Sequence, residues 1–484
     1  LKELKGEVAI YLNGELLAKH FDQAHPAIID VTGKLQPENQ LNLHFERAAP
    51  QEKPGDPDPS KRQKDGTYLG PNPMLYTCGV IGEIILEQTN GSLIDEIITD
   101  FSLDDSFQNG EVKFVISGKT NSKDSKVEFQ LFGPDGRLEA QSELHIAAHN
   151  SHFSASSTLQ VSKPALWYPR GYGDQNLYQA KILFLVSGKT HQSEYRTIGF
   201  RKITMPEELH FEVNGKPVFL RGGNWVTPDL MSEVWDQQRM EGLFDLAEHA
   251  NFNAFRIWGV VEAPNDRFYE MADKRGFLLW QDFTKMPFDF DSERTEESVD
   301  LARNFLIRLK HHPSILMWCG INEAAMWWEA DYNKDLKDMG PWPGLAAAEA
   351  VGRVCNELDP DRYYLPSTPY RGMNPNDPRE GSTNGYTNMS YVPGYDYLNF
   401  ASEDTRISCP TLNSMEKFML PEEICPPDYT TLALHGNENP YPDTWRMYTS
   451  AQSWKKTGPV EQFYDATDAP SLANRIGMAE GVYY

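Results

Sequence analysis

Several protein classes need residues that this chain has little of. Its 484 residues include five cysteines, Cys78, Cys319, Cys355, Cys409 and Cys425, scattered and without any Cys-x-x-Cys spacing. A zinc site or a dense disulfide framework needs paired or regularly spaced thiols, so neither is expected. No run approaches eighteen apolar residues, which excludes a membrane-spanning helix. Cations are outnumbered too: 45 Lys and Arg against 70 Asp and Glu leave a formal charge of −25. Binding a phosphate backbone needs clustered Lys and Arg, so a nucleic-acid partner is not expected, and polyanionic substrates are not favoured. The opening "LKELKGEVAIYLNGELL" lacks the shape of a signal peptide and reads like the middle of a β-domain.

Aromatic side chains are plentiful, with 11 Trp, 22 Tyr and 24 Phe. Such rings suit clefts that stack on the apolar faces of sugars, and they serve large cores equally well. At about 150 residues per domain the length suggests about three domains.

Residues 1–95 read as a partial β-sandwich. "EVAIYLNGELLAKH" alternates around the turn Asn13-Gly14, "NQLNLHFE" alternates again, and "GVIGEIILEQ" closes the region as a strand. The Pro- and charge-rich stretch 50–66 is a surface loop. Residues 96–204 continue with "EVKFVISG", "KVEFQLFG", "ELHIAAH", "AKILFLVSG" and "SEYRTIGFRKI", separated by turns at about ten-residue intervals, the spacing of an immunoglobulin-like sandwich. From 205 to 484 the rhythm changes. "HFEVNGKPVFLRGGN" leads into a buried strand. Helical segments near 235–250, 265–275, 295–310 and 343–357 then alternate with "NAFRIWG", "GFLLWQDF", "SILMWCGIN", "RYYLPST" and "YLNFASE". Alternating strands and helices form parallel β/α units. Seven strands can be counted, and the pattern fits a (β/α)₈ TIM barrel whose last strand is absent from the chain.

In such barrels the chemistry sits at the carboxyl ends of the strands. The fourth strand ends on Asn322-Glu323 and then meets Met326, Trp327 and Trp328. A carboxylate avoids apolar surroundings unless it is paired or its raised pKa is useful. The seventh strand ends the same way, on Glu403. Strands four and seven face one another across a barrel mouth. Two carboxylates about 5 Å apart suit retaining glycoside hydrolysis, and a gap of roughly 6.5–9.5 Å suits inversion. Two solvated strand-end glutamates are the bland alternative.

Four stretches carry a resemblance to glycoside hydrolase family 2, particularly its β-mannosidase and exo-β-glucosaminidase branches. They are "GKPVFLRGGNWVTPDL", "NAFRIWG" with "NDRFYEMADKRGFLLWQDF", "HHPSILMWCGINE" and "FASEDTRISCPTLNSMEKFMLPEE". The resemblance implies Glu323 as general acid/base, Glu403 as nucleophile and Asn322 as a partner of the sugar 2-substituent. It implies that Arg256 steadies the nucleophile carboxylate, with a core ion pair as the alternative, and that Trp258 ends the same strand. Trp225, beside Asn224, would form a wall of the site. Trp280 and Asp282 would line the sugar, although a structural hydrogen bond suits Asp282 equally, and Trp327 would stack on the sugar or cap the barrel. The chain departs from the pattern at its rim. Thr67, Tyr68 and Leu69 stand where Trp, Asp and Trp are usual, Pro264 stands where a Glu is usual, and Asp404-Thr405 replaces an aromatic-Gly pair.

The expected activity is retaining, exo-acting β-glycoside hydrolysis of a β-mannoside or related sugar, which needs no metal or organic cofactor, with exo-β-glucosaminidase as the alternative specificity. A catalytically inactive carbohydrate-binding or assembly subunit is the alternative outside enzymology. The expected partner is an oligosaccharide or glycoside, with the rest of a longer polypeptide or a second copy of the chain beside it. Because such polymers lie outside the cytoplasm, an extracellular or periplasmic location follows.

Overall fold

The computed structural model describes residues 1–2, 4–20, 26–45, 78–226, 228, 235–259, 263–284, 295–326, 342, 344–370, 375–377, 379–384, 399–403, 412–417 and 419–424. Internal contacts divide the chain into two units, Leu1–Arg47 with Cys78–Tyr370, and Ala48–Thr77 with Arg371–Tyr484.

The first unit opens with β1 (Leu4–Lys5), β2 (Val8–Leu12), β3 (Glu15–His20), β4 (Leu41–Phe45) and β5 (Gly79–Val80). Asn13 and Gly14 both take positive φ, 52° and 87°, which closes the β2–β3 hairpin with the twist that favours Asn-Gly turns. The sheet order is β3-β2-β4, and Leu4, Val8, Ile10 and Ala27 form a small core. The expected strand "GVIGEIILEQ" is found only at Gly79 and Val80, which pair with β1. Ile84, Ile85 and Leu86 are 52%, 46% and 69% exposed and outside any strand. Apolarity makes a segment willing to pair, but a strand also needs an edge to pair with.

A two-layer antiparallel sandwich follows. One layer is β10-β7-β6 and the other β12-β11-β8-β9, from β6 (Leu93–Leu103), β7 (Asn109–Lys119), β8 (Ser125–Phe132), β9 (Leu138–His145), β10 (His152–Ser162), β11 (Tyr178–Val186) and β12 (Lys189–Ile198). Inward residues alternate along β8, and Phe129 stacks on Phe114 of the opposite layer at 5.1 Å. The expected boundary after residue 95 falls inside β6, so this layer starts slightly earlier than the turn spacing suggests. A meander of β13 (Ile203–Glu207), β14 (His210–Val213) and β15 (Lys216–Val218) leads onward.

The last part of the first unit is a parallel sheet in the order β16-β17-β18-β19-β20. Its strands are β16 (Gly222–Trp225), β17 (Ala254–Ile257), β18 (Leu278–Asp282), β19 (Ile315–Asn322) and β20 (Tyr364–Thr368). Helices α1 (Gln237–His249), α2 (Asp266–Arg275), α3 (Thr295–Leu309) and α4 (Leu345–Leu358) connect successive strands. Asp236 caps α1 by accepting the Arg239 N–H, and Gly276 ends α2 at φ 77°, a left-handed cap that suits glycine. Phe244, Phe255, Phe268, Phe277, Leu306, Trp318 and Val351 fill the layer between sheet and helices.

The amino end of β19 is bolted to the sandwich. Arg201, after β12, donates to the carbonyls of Pro313 and Ile315 at 2.8 Å each. Arg362 donates to the Ile315, Lys310 and His312 carbonyls and pairs with Asp359, which also accepts the Trp318 Nε1–H at 2.8 Å. The Phe101 ring of β6 receives both guanidinium groups, at 5.3 and 6.0 Å. Burial, and next the like charge of Arg362, hold Arg201 well below the ordinary guanidinium pKa. Asp273 of α2 accepts the Ser314 N–H and pairs with His312 Nδ1 at 2.6 Å. All of these groups lie at the end of the strand opposite Asn322 and Glu323.

In the second unit, β21 (Thr383–Asn384) and β22 (Ala401–Glu403) form a parallel pair, followed by the short helices α5 (Leu412–Met415) and α6 (Pro421–Ile424). β21 is a strand the sequence reading does not delimit. Among the described residues the parallel strands are thus the five of the first unit's sheet, β16 to β20, and this separate pair in the second unit.

Asp359→Ala should cost about 3–5 kcal/mol, because it leaves buried Arg362 without a counter-charge and close to Arg201. A lower urea midpoint is the readout. Lys274→Ala, which removes an exposed helix-face pair, should change stability by less than about 0.5 kcal/mol.

Candidate active site

Side chains from three adjacent strands converge at the carboxyl edge of the parallel sheet. Register sets the face they share. Asn224 lies opposite Arg256, Arg256 opposite Trp280, and Asp282 opposite Cys319. Phe255 and Ile257, which flank Arg256, belong to the helix-facing core, so alternation along β17 turns Arg256 to the other face.

Arg256 and Asp282 form a buried ion pair. Arg256 Nη2 donates to Asp282 Oδ2 at 2.7 Å, and Nε lies 3.3 Å from Oδ1. Trp280 Nε1–H adds a bond to Oδ1 at 3.0 Å, and the Gly259 N–H adds one to Oδ2 at 3.0 Å. Each carboxylate oxygen therefore accepts two donors. A full charge tolerates burial only with such compensation. Arg256 Nη2 also donates to Asn322 Oδ1 at 2.6 Å, which joins β17, β18 and β19 through one guanidinium. Gly259 eases this approach, since a Cβ there would stand 3.0 Å from the Asp282 Cβ and 3.2 Å from the Phe283 carbonyl, close enough that its neighbours would have to shift.

Glu323 follows Asn322 and takes φ 54°, in the left-handed region that non-glycine residues rarely adopt. Its N–H bonds the Thr368 carbonyl at 2.6 Å, so the last rung of the β19–β20 ladder is kept while the chain turns. The strand geometry is thus broken at the residue singled out as a catalytic acid. Observed strain of this kind clusters at functional positions.

The other candidates are placed unequally. Trp225 is not on the face of Arg256. Its ring packs against Phe244, Phe255 and Phe268, at 6.0, 5.4 and 4.7 Å, within the helix-facing core. Asn224 is half-buried on the Arg256 side, and the Trp258 N–H bonds the Trp225 carbonyl at 3.2 Å. Glu403, in the second unit, is half-buried at the end of β22. The preceding Ser402 is held there by Oγ–H bonds to Asn384 Oδ1 and the Thr383 carbonyl. Pro264 has its carbonyl occupied by Arg308, which also pairs with Asp266 at the start of α2. Trp327 lies outside the described residues, as do Trp328, Thr67 to Leu69 and Asp404. Among the described residues no group of His, Cys, Asp or Glu could hold a metal ion, and no helix is long and apolar enough to cross a membrane.

Sequence reasoning missed Gly259 and Cys319. Burial, and next the Asp282 charge, push the Cys319 thiol well above its usual pKa, so it sits protonated against the ion pair. Neither residue has a signal of its own in the sequence, because both matter only through contacts across strands.

The strained backbone at Glu323 supports a stability comparison. Glu323→Ala and Glu323→Gly remove the same carboxylate, and only glycine accepts φ 54° without a Cβ clash. Glu323→Gly should therefore be the more stable of the two by about 1 kcal/mol, measured by urea unfolding, the reverse of their order in a helix.

Comparison with known proteins places this geometry. The family model "Glycosyl hydrolases family 2" matches residues 93–201, and "Glycosyl hydrolases family 2, TIM barrel domain" matches residues 206–343, together about half of the chain. Beta-mannosidase B of Aspergillus clavatus is 28% identical over 354 residues, which cover 68% of this chain and 41% of that protein. Beta-mannosidase of Mus musculus is 29% identical over 228 residues, 43% of this chain and 25% of that protein. The chain thus spans well under half the length of these curated relatives. Among solved structures, a β-D-mannosidase from Dictyoglomus thermophilum superposes with a TM-score of 0.82 at 21% identity, over 99% of this chain and 61% of that one. An exo-chitosanase from Amycolatopsis orientalis gives 0.64 at 16% identity, over 88% and 50%. The likeness to these structures is one of fold: a multidomain arrangement with a β-sandwich before a TIM-barrel domain. The chain belongs to glycosyl hydrolases family 2.

Proposed function

We propose that this chain carries the catalytic part of a retaining, exo-acting β-glycosidase that removes terminal β-mannosyl or closely related residues. The observation that carries the reading is the end of β19: Asn322 gripped by Arg256, and Glu323 turned out of the strand at φ 54°. The chain's similarity to β-mannosidases supports the substrate class.

In the proposed reaction Glu403 attacks the anomeric carbon as a carboxylate while Glu323 gives its proton to the departing glycosidic oxygen. The bond to the aglycone breaks as the ester to Glu403 forms. Glu323, now a carboxylate, takes a proton from water, and the hydroxide attacks the same carbon. The sugar leaves with its original anomeric configuration, and both glutamates return to their starting states. Asn322 would hold the 2-substituent, a contact that strengthens as the ring flattens in the transition state.

The reading brings a domain plan with it: a jelly-roll-like sandwich to about residue 92, an immunoglobulin-like sandwich to 204, and a TIM-barrel domain from 205. It also brings export, extracellular or periplasmic, since such glycosides are met outside the cytoplasm.

The test is kinetic. Glu323→Gln should lose roughly 10²–10⁴-fold on an alkyl β-mannoside, whose leaving group needs a proton. It should lose far less in the glycosylation step of a 2,4-dinitrophenyl β-mannoside, which does not. Glu403→Gln should abolish both, and the first product of the unaltered chain, followed by NMR, should be the β-anomer. The same trace rate for all three proteins would remove the hydrolase reading, and an α-anomer would remove retention.

A further inference from the structure

Asp282 is fully buried, and both its oxygens are already occupied by Arg256, Trp280 and Gly259. A carboxylate in that state has no lone pair directed at a sugar. What it does have is control of a guanidinium, and that guanidinium reaches Asn322.

Arginine carries donors only. The Asn322 atom 2.6 Å from Arg256 Nη2 must therefore be the amide oxygen, and both Nδ2 hydrogens of Asn322 are left for another partner. The orientation of an asparagine amide is fixed by its hydrogen-bond network, and here that network begins at Asp282. Two bonds from Arg256 to Asp282 set the plane of the guanidinium. Trp280 and Gly259 set the carboxylate, and the plane in turn sets the amide.

We infer that Asp282 is a positioning residue that acts through Arg256 to present the Asn322 amide as a hydrogen-bond donor, so that the C2 group of the sugar must be an acceptor, a neutral hydroxyl rather than an ammonium. This rests on the reading under Proposed function, which places the C2 group at Asn322. An ammonium at C2 has no lone pair for the Nδ2 hydrogens and has the same charge sign as Arg256. Asp282, the carboxylate of this network, already accepts two hydrogen bonds on each oxygen and has no lone pair left for an ammonium hydrogen. The inference separates the two specificities that the sequence leaves open, β-mannoside and β-glucosaminide.

The test compares an aryl β-mannoside, the matching aryl 2-deoxy-β-glycoside and an aryl β-glucosaminide on the full chain and on Asp282→Asn. Losing an oriented, charge-assisted contact should lower kcat/KM for the 2-hydroxy substrate roughly 10- to 100-fold. The loss on the 2-deoxy substrate should be at least about tenfold smaller, since it has no C2 oxygen to feel the change. The unaltered chain should hydrolyse the glucosaminide far more slowly than the mannoside. Equal losses on both neutral substrates would show a merely structural role and overturn the inference, as would a preference for the glucosaminide. Asp282→Asn leaves a buried guanidinium underpaired, so Gly259→Ala is the second variant. Its Cβ presses on Asp282 while every charge keeps its partner, and the same selective loss, smaller in size, is expected. Should the unaltered chain hydrolyse no aryl glycoside, the Proposed function fails by itself. Crystal structures then decide the positioning. Loss of the Arg256–Asn322 contact in Asp282→Asn supports it, and an unchanged contact overturns it.

Discussion

Arg256 and Asp282 place opposite full charges on neighbouring strands, away from water, at the edge where β17, β18 and β19 end. Removing such groups from water costs several kcal/mol per ion, and their mutual attraction offsets this only when the geometry is good and the remaining donors and acceptors are satisfied. Here the guanidinium meets the carboxylate through two nitrogens, and Trp280 and Gly259 complete the carboxylate. The same constraint fixes Asn322, because Arg256 is shared between Asp282 and the amide. Displacing either Arg256 or Asp282 would separate a buried charge from its opposite. Asn322 is therefore held by groups that themselves have few alternatives.

β19 transmits that order along its length. All eight of its residues are buried, and its amino end is fastened by Arg201, Arg362 and Asp273 to the sandwich and to α2. Its carboxyl end receives Arg256. A strand clamped at both ends can carry unfavourable backbone at its exit, where the left-handed conformation costs roughly 1–2 kcal/mol. Glu323 exits with φ 54° while its N–H remains on the ladder to Thr368. Sequence, packing and chemistry meet at this point. "SILMWCGIN" makes the strand, the arginines and carboxylates at its ends fix it, and the fixed end sets where the next carboxylate points.

The sequence made some of this legible. Asn13-Gly14 announces its hairpin, alternation announces β7, β8 and β11, and continuous apolar runs announce β18 and β19 as strands covered on both faces. Other parts were not legible. β10, "HFSASSTLQVS", alternates small polar residues with buried ones, so its period is faint although its pairing with β7 is complete. Ile84 to Leu86 read as a strand and lie exposed, because composition cannot supply a partner. Trp225 reads as a site residue, but its position one step from Asn224 puts it on the other face of β16, among phenylalanines. The ion pair could be suspected from Arg256 and Asp282 at successive strand ends. Its completion by Gly259 and its extension to Asn322 depend on cross-strand register, which one chain's periodicity does not encode.

The residue types in this network follow from geometry. A lysine at position 256 would bring a single point charge. It could not meet both Asp282 oxygens in a plane and also reach Asn322, whereas the planar fork of arginine can. A longer carboxylate at 282 would need room that the Gly259 backbone and the Trp280 indole already occupy. At position 259 even a methyl group would crowd the carboxylate that the backbone N–H now helps to hold. Of the chain's departures from its family resemblance, Pro264 lies among the described residues. It begins the connection into α2 and is tied to Arg308, with no part in the Arg256 network. The buried network and this departure therefore share no residue. On the proposed reading, the network would set how the sugar's C2 group is met.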